Sequence, residues 1–175
     1  MTRLFLIFLL TAGLTSAAWA NTASDRDLAR EIQQPRYPRG AIEFFTFVIE
    51  AGEISKQDLA QAFYRRGNAF YYLGELERAI EEFSRALVLD PRHANAYYNR
   101  ANAFADLGQH GRAVEDYTAA IRLEPDHDFA FFNRANAYSA KGDQGRAVQD
   151  YKKAYALNPA DPVYQDKLRE LGLFR

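Results

Sequence analysis

Apolar residues are distributed along this chain in three regimes. Residues 4–14 are almost wholly apolar, residues 21–40 are polar, and residues 41–51 (AIEFFTFVIEA) are strongly apolar again. From residue 60 the pattern changes to apolar positions three and four apart: Phe63, Gly67 and Phe70, then Ala79, Phe83 and Ala86. That spacing places them on one face of a helix. Gly74 interrupts the first such run and Pro91 the second, so the pattern predicts helices in short-connected pairs. The β-branched and aromatic residues of 41–51 would also suit a strand; the helical pattern around the segment decides for a helix.

The pattern then recurs every 34 residues, in units 60–93, 94–127 and 128–161. The segments FYRRGNAF, YYNRANAF and FFNRANAY occupy the same place in each. Gly74, Gly108 and Gly142 follow the first helix, where a left-handed residue ends it. Asp90-Pro91, Glu124-Pro125 and Asn158-Pro159 end the second, because proline disfavours helical geometry in the residue before it. Large Phe63, Tyr97 and Phe131 alternate with small Gly67, Ala101 and Ala135. Small residues let helix axes approach, and neighbouring aromatics fill the space.

These landmarks resemble the tetratricopeptide repeat in its period, its aromatic and glycine or alanine positions, its Ala-x3-aromatic step and its proline. The resemblance implies an all-α fold, a right-handed α-solenoid of antiparallel helix pairs. One departure is regular: Arg66, Arg100 and Arg134 stand where the family usually has leucine, and Glu82, Asp116 and Asp150 precede the second-helix aromatic. Each arginine is expected to pair with the acid of its own unit, its stem lying on apolar neighbours. Ala41 and Phe45 have the spacing of a second repeat helix, so 41–59 reads as a degenerate half repeat with a connection about four residues too long. Ser55 with Asp58 offers a cap. Asp161-Pro162 opens a capping helix in 162–175, with Leu168 and Leu171 covering the third unit and Gln165, Asp166, Lys167, Arg169 and Glu170 outward.

Residues 1–20 carry a positive start (Arg3), an apolar stretch and the small-residue ending Ala18-Trp19-Ala20, which is the pattern of a secretory signal peptide cut before Asn21. The apolar stretch is shorter than the roughly 20 residues of a membrane span, and no later segment approaches that length, so no span is expected after cleavage. Residues 21–40, with Pro35 and Pro38, read as a polar tail and linker. The chain has no cysteine, which excludes disulfides, thiolate chemistry and a lipid-anchored cysteine. A formal charge of -1 argues against a general nucleic-acid binder. The simple leader and the NRANA-type repeats look like those of bacterial secreted repeat proteins, and the expected location is the periplasm.

Candidate chemistry is sparse. There is no nucleophile elbow, phosphate-binding glycine loop or HExxH motif, so a non-enzymatic protein without cofactor or metal is expected. His93, His110 and His127 are evenly spaced, but the repeat places them in turns at opposite ends of the helices, too far apart for one ion, and they read as surface-loop residues. In the family the first helices line the concave surface, and the resemblance selects Gln61, Tyr64, Arg65, Asn68, Tyr71 and Tyr72; Asn95, Tyr98, Asn99, Asn102, Ala105 and Asp106; and Phe129, Phe132, Asn133, Asn136, Ser139 and Ala140. Tyr64, Tyr98 and Phe132 form an aromatic row beside an amide row of Asn68, Asn102 and Asn136, extended by Asn99 and Asn133. Amides can donate to and accept from an extended backbone, and aromatics add contact area. The same asparagines could instead rigidify the repeat. The family's carboxylate clamp is matched by Asn68 and Asn99, but its cationic places hold Tyr64, Phe129 and Asn133. The expected role is a scaffold holding an unidentified protein or peptide in the groove. The alternatives are a receptor for a small or glycan-like envelope ligand, or a structural component of an envelope assembly contacting its neighbours through 41–51.

Overall fold

A computed structural model describes residues 38–52 and 54–173. They form eight helices: α1 (Pro38–Ala51), α2 (Lys56–Tyr72), α3 (Leu76–Leu89), α4 (Ala94–Asp106), α5 (His110–Leu123), α6 (Asp128–Ala140), α7 (Gln144–Leu157) and α8 (Pro162–Glu170). The described residues contain no strand, and none of their helices is long and apolar enough to cross a membrane. The expected signal peptide and most of the polar tail lie outside them.

Helices α2–α3, α4–α5 and α6–α7 are the three hairpins, stacked in chain order, with α1 before and α8 after. The result is an all-helical solenoid. The first helices of successive units also touch one another, α2 with α4 and α4 with α6, so they form the inner layer. The core is a series of small clusters rather than one centre. Phe83 packs with Phe70 and Ala79, Tyr117 with Ala101, Phe104 and Ala113, and Tyr151 with Ala135, Tyr138 and Ala147. Burying each such aromatic contributes roughly 1.5–3 kcal/mol.

The turns follow the expected chemistry. Gly74, Gly108 and Gly142 take φ of 75°, 71° and 81°. The residue after each donates back five positions, as Glu75 does to the Phe70 carbonyl at 3.0 Å. Ser55 accepts from the Asp58 amide at 3.1 Å and donates to its carboxylate at 2.7 Å. Asp161 caps α8 through the Val163 amide at 2.8 Å. Leu168 is buried and Leu171 half-buried against the Tyr151 cluster.

Two boundaries differ from expectation. Helix α1 begins at Pro38, not Ala41, because proline's fixed φ and missing N–H suit a first helical turn. The long connection before the first full unit is largely helix: α2 begins at Lys56, so residues 56–59 add a turn to it. At the other end α8 is anchored chiefly by Tyr164, one of the most deeply buried side chains, which stands one repeat on from Ala130. Its hydroxyl donates to Asp128 at 3.2 Å. Residues 174–175 of the expected cap lie outside the described residues.

The arginine–acid pairs form in all three units. Arg66 meets Glu82 at 2.7 Å, while Arg100 grips Asp116 and Arg134 grips Asp150 through two bonds each, at 2.7–2.9 Å. The three acids are the buried charged residues of the described core. Each guanidinium also reaches back one unit to a hydroxyl: Arg66 to Thr46, Arg100 to Ser84 and Arg134 to Thr118, at 2.9–3.0 Å. One side chain therefore ties its own hairpin and docks it on the preceding helix. The device ends where the stack ends. One period beyond Arg134 the chain has buried Leu168, and one period beyond Thr118 it has exposed Lys152.

Candidate functional site

The inner layer carries the candidate residues. Tyr64, Arg65, Asn68, Tyr71, Tyr98, Asn99, Asn102, Phe132 and Asn133 are half-buried, and Asn136 is exposed. Their amides are not simply displayed to solvent. Asn99 donates to the Tyr64 hydroxyl at 3.2 Å and to the Asn68 carbonyl at 2.7 Å. Asn133 repeats this one unit later, to Tyr98 at 3.0 Å and Asn102 at 3.2 Å. Tyr117 and Tyr151 donate from the second helices to Asn102 and Asn136, both at 2.6 Å. The asparagine row thus rivets one repeat to the next. The carbonyl oxygens of Asn99 and Asn133 and the amide hydrogens of Asn68 and Asn136 have no hydrogen-bond partner among the described residues.

A second tie crosses at the far end of the helices, where the Tyr71 hydroxyl donates to Asp106 at 2.6 Å. Burial, the bond to Asp106 and its negative charge all push the Tyr71 phenol well above its ordinary range. Tyr72, Asn95, Phe129 and Asn136 are the exposed members of the layer with large or amide side chains, Tyr72 at 57% and Phe129 at 52%.

The histidines have roles that their turn positions concealed. His93 and His127 are not surface-loop residues but half-buried N-caps of α4 and α6. Their Nδ1 atoms accept from the Ala96 and Ala130 amides, both at 3.3 Å. Each ring lies against the groove tyrosine of the preceding unit, Tyr64 at 4.5 Å and Tyr98 at 4.6 Å between centroids. Burial lowers the His93 pKa, outweighing the raising effect of Asp90 and Glu124; Arg65 lowers it further. His110 opens α5, and its Nδ1 is buried without a hydrogen-bond partner among the described residues.

Between α1, α2 and the start of α4 lies a pocket of about 370 Å³. Phe45, Tyr64 and Tyr72 supply aromatic walls, and Gln61, Arg65, Asn68, His93 and Asn95 supply polar ones. Sequence reasoning placed Arg65 on the inner face but had no means of finding the cavity, because Pro38, Ala41 and Phe45 reach it from a different helix. The positions at which the family's clamp carries cations are filled otherwise. Tyr64 and Asn133 belong to the rivets, and Phe129 meets Tyr164 edge-on at 6.3 Å.

Comparison with known proteins agrees with this geometry. Family descriptions match as "TPR repeat" over residues 67–108 and as "Tetratricopeptide repeat" over 94–127 and 128–161. The chain belongs to the tetratricopeptide-repeat family. Among solved structures, it is similar to one titled "Crystal structure of MamA", with 29% identity, 71% of this chain and 70% of that chain covered, and a TM-score of 0.65. It is also similar to the second tetratricopeptide domain of human RPAP3 in complex with the HSP70 peptide SGPTIEEVD, with 30% identity, 67% and 98% coverage, and a TM-score of 0.64. The first such domain of Spaghetti (RPAP3), bound to the HSP90 peptide SRMEEVD, gives 25% identity, 65% and 90% coverage, and a TM-score of 0.62. No curated protein matches the chain.

Proposed function

We propose that this protein is a non-enzymatic interaction scaffold that holds an extended segment of a partner protein along its inner layer. Tetratricopeptide-repeat proteins are generally scaffolds of this kind, and two of the similar structures hold peptides. The observation that carries the reading is the half-used amide row. The rivets fix Asn99 and Asn133 in place, yet leave a repeating set of acceptors beside the Tyr64, Tyr98 and Phe132 rings. A preorganised row of this kind binds an extended backbone without ordering its own side chains first.

Selection of random twelve-residue peptides displayed on phage tests it. Enrichment of binders on the wild type, reduced at least tenfold by Asn95→Ala with Phe129→Ala, supports the groove. Absence of enrichment, or indifference to that pair of changes, overturns it. Asn99→Ala with Asn133→Ala would disturb the docking of the repeats as well as binding, since those side chains join one repeat to the next.

The leader places the scaffold outside the cytoplasm in this proposal, in a bacterial periplasm. Met1 is the only methionine and Trp19 the only tryptophan. Exported protein cleaved before Asn21 has neither; tryptophan emission from it would show the cut to be elsewhere.

A further inference from the structure

The pocket at the amino-terminal end of the inner layer contains a hydrogen-bonding deficit. The Gln61 amide sits between His93 and Arg65. One of its terminal atoms is 3.2 Å from His93 Nε2; the other is 3.0 Å from Arg65 Nε and 3.3 Å from Nη2. An amide has one acceptor and one donor group. His93 Nδ1 accepts the Ala96 N–H, so a neutral ring carries its proton on Nε2 and needs an acceptor there. The Arg65 guanidinium, which is all donor, needs one as well.

The Gln61 oxygen cannot serve both. Turned to His93, it leaves the amide hydrogens against the guanidinium. Turned to Arg65, it puts the amide hydrogens on His93 Nε2 and forces the ring proton onto Nδ1, against the Ala96 N–H. In either orientation the cluster is one acceptor short. Among the described residues no acidic side chain lines the pocket and Arg65 makes no ion pair.

The deficit belongs to the first unit alone. One period on, Gln61 and Arg65 become Asn95 and Asn99, and the third unit has Phe129 and Asn133. Asn99 and Asn133 are spent on riveting backwards to the preceding first helix. Arg65 precedes that series, and a cation stands where the amide row begins.

The geometry points to a carboxylate-binding pocket in which Arg65 takes an acidic group of the bound segment. A carboxylate on Nε and Nη2 supplies the missing acceptor in the planar, two-bond form a guanidinium favours, and frees the Gln61 oxygen for His93. Burial pushes the guanidinium pKa down from its usual value, and arginine stays a cation in proteins. The pocket is continuous with the groove through Tyr64 and Asn68, which belong to both. The carboxylate belongs either to an acidic side chain or to a chain terminus. That it comes from a peptide rests on the scaffold reading; that the pocket takes a carboxylate does not.

The test follows the Arg65 Nε–H resonance and, beside it, the His93 ring resonances by ¹⁵N NMR in the protein. The probes are N-acetylglutamate amide for an acidic side chain and N-acetylalanine for a terminus, with N-acetylglutamine amide and N-acetylalaninamide as neutral counterparts. The expected result is a saturable shift with one of the carboxylates and none with its neutral counterpart. In Arg65→Gln the accompanying His93 shift is lost while the thermal midpoint is kept. Equal responses to charged and neutral probes, or an undiminished His93 response in Arg65→Gln, overturns the pocket. A response seen only after Asp25→Asn, Asp27→Asn and Glu31→Gln overturns a bound partner as the source of the carboxylate, in favour of the chain's own preceding segment. The peptide selection separates the two readings. Selected peptides that bind Arg65→Gln as well as wild type overturn the pocket and leave the groove standing. Saturable probe binding without any selected peptide does the reverse.

Discussion

Removing the Arg100 guanidinium leaves Asp116 buried with nothing to balance it and Ser84 without its donor. Arg100→Ala should therefore cost about 3–5 kcal/mol in chemical denaturation, the range for breaking a buried pair. Arg100→Leu with Asp116→Leu, which restores the family's apolar residue and removes the orphan acid, should recover most of the loss. Asn99→Ala deletes two bonds between units and should cost about 1–3 kcal/mol, read the same way. His93 gives a pH signature. Its folded pKa is lowered from 6.5, so the unfolded chain takes up a proton that the folded one resists. Stability should fall as pH drops below about 6.5, levelling only once the folded ring also protonates. His93→Asn keeps a capping acceptor and removes the titration, so its melting temperature should vary less between about pH 5 and 7.

At the scale of an element, α2 shows how repetition can mislead. Ala101 and Ala135 occupy the place of Gly67, and alanine favours a helix over glycine by about 1 kcal/mol. On those grounds Gly67→Ala should stabilise. The packing reverses the sign. A Cβ at Gly67 would stand 2.8 Å from two carbons of the Phe83 ring and 3.2 Å from Glu82 Cβ. Tyr117 and Tyr151 are tethered by their hydroxyls to Asn102 and Asn136, whereas Phe83 has no hydroxyl and its ring occupies the space over Gly67. Overpacking of this kind costs about 1–3 kcal/mol, so Gly67→Ala should lower the melting temperature despite the propensity gain.

For the whole molecule, stability is a sum of units and the contacts between them. Helix α8 closes the stack by burying Tyr164 and Leu168, and it shields Phe131, Tyr151 and Ala154. Truncation after Asp161 should lower the melting temperature and loosen the carboxyl-terminal end first. Amide hydrogen exchange checks this: protection should fall in α6 and α7 while α2 and α3 change little. Uniform loss along the chain would mean that the repeats unfold as one block.

The sequence by itself determined the helix pairs, their glycine and proline boundaries, both helix caps, Ser55 and Asp161, and the arginine–acid pairs. All of these are local or recur at one fixed offset, so three copies within the chain expose them. It also placed the Asn and Tyr rows on one face. Only the tertiary structure decided what those rows do, because the reach of Asn99 to Tyr64 and Asn68 depends on how closely one repeat docks on the next. The same holds for the histidine caps packed on tyrosines, the Tyr71–Asp106 tie, the buried Tyr164 and the space denied at Gly67. The pocket around Arg65 is the furthest from the sequence. It needs a half repeat to bring Phe45 against α2, and a first unit with no matching first helix before it among the described residues.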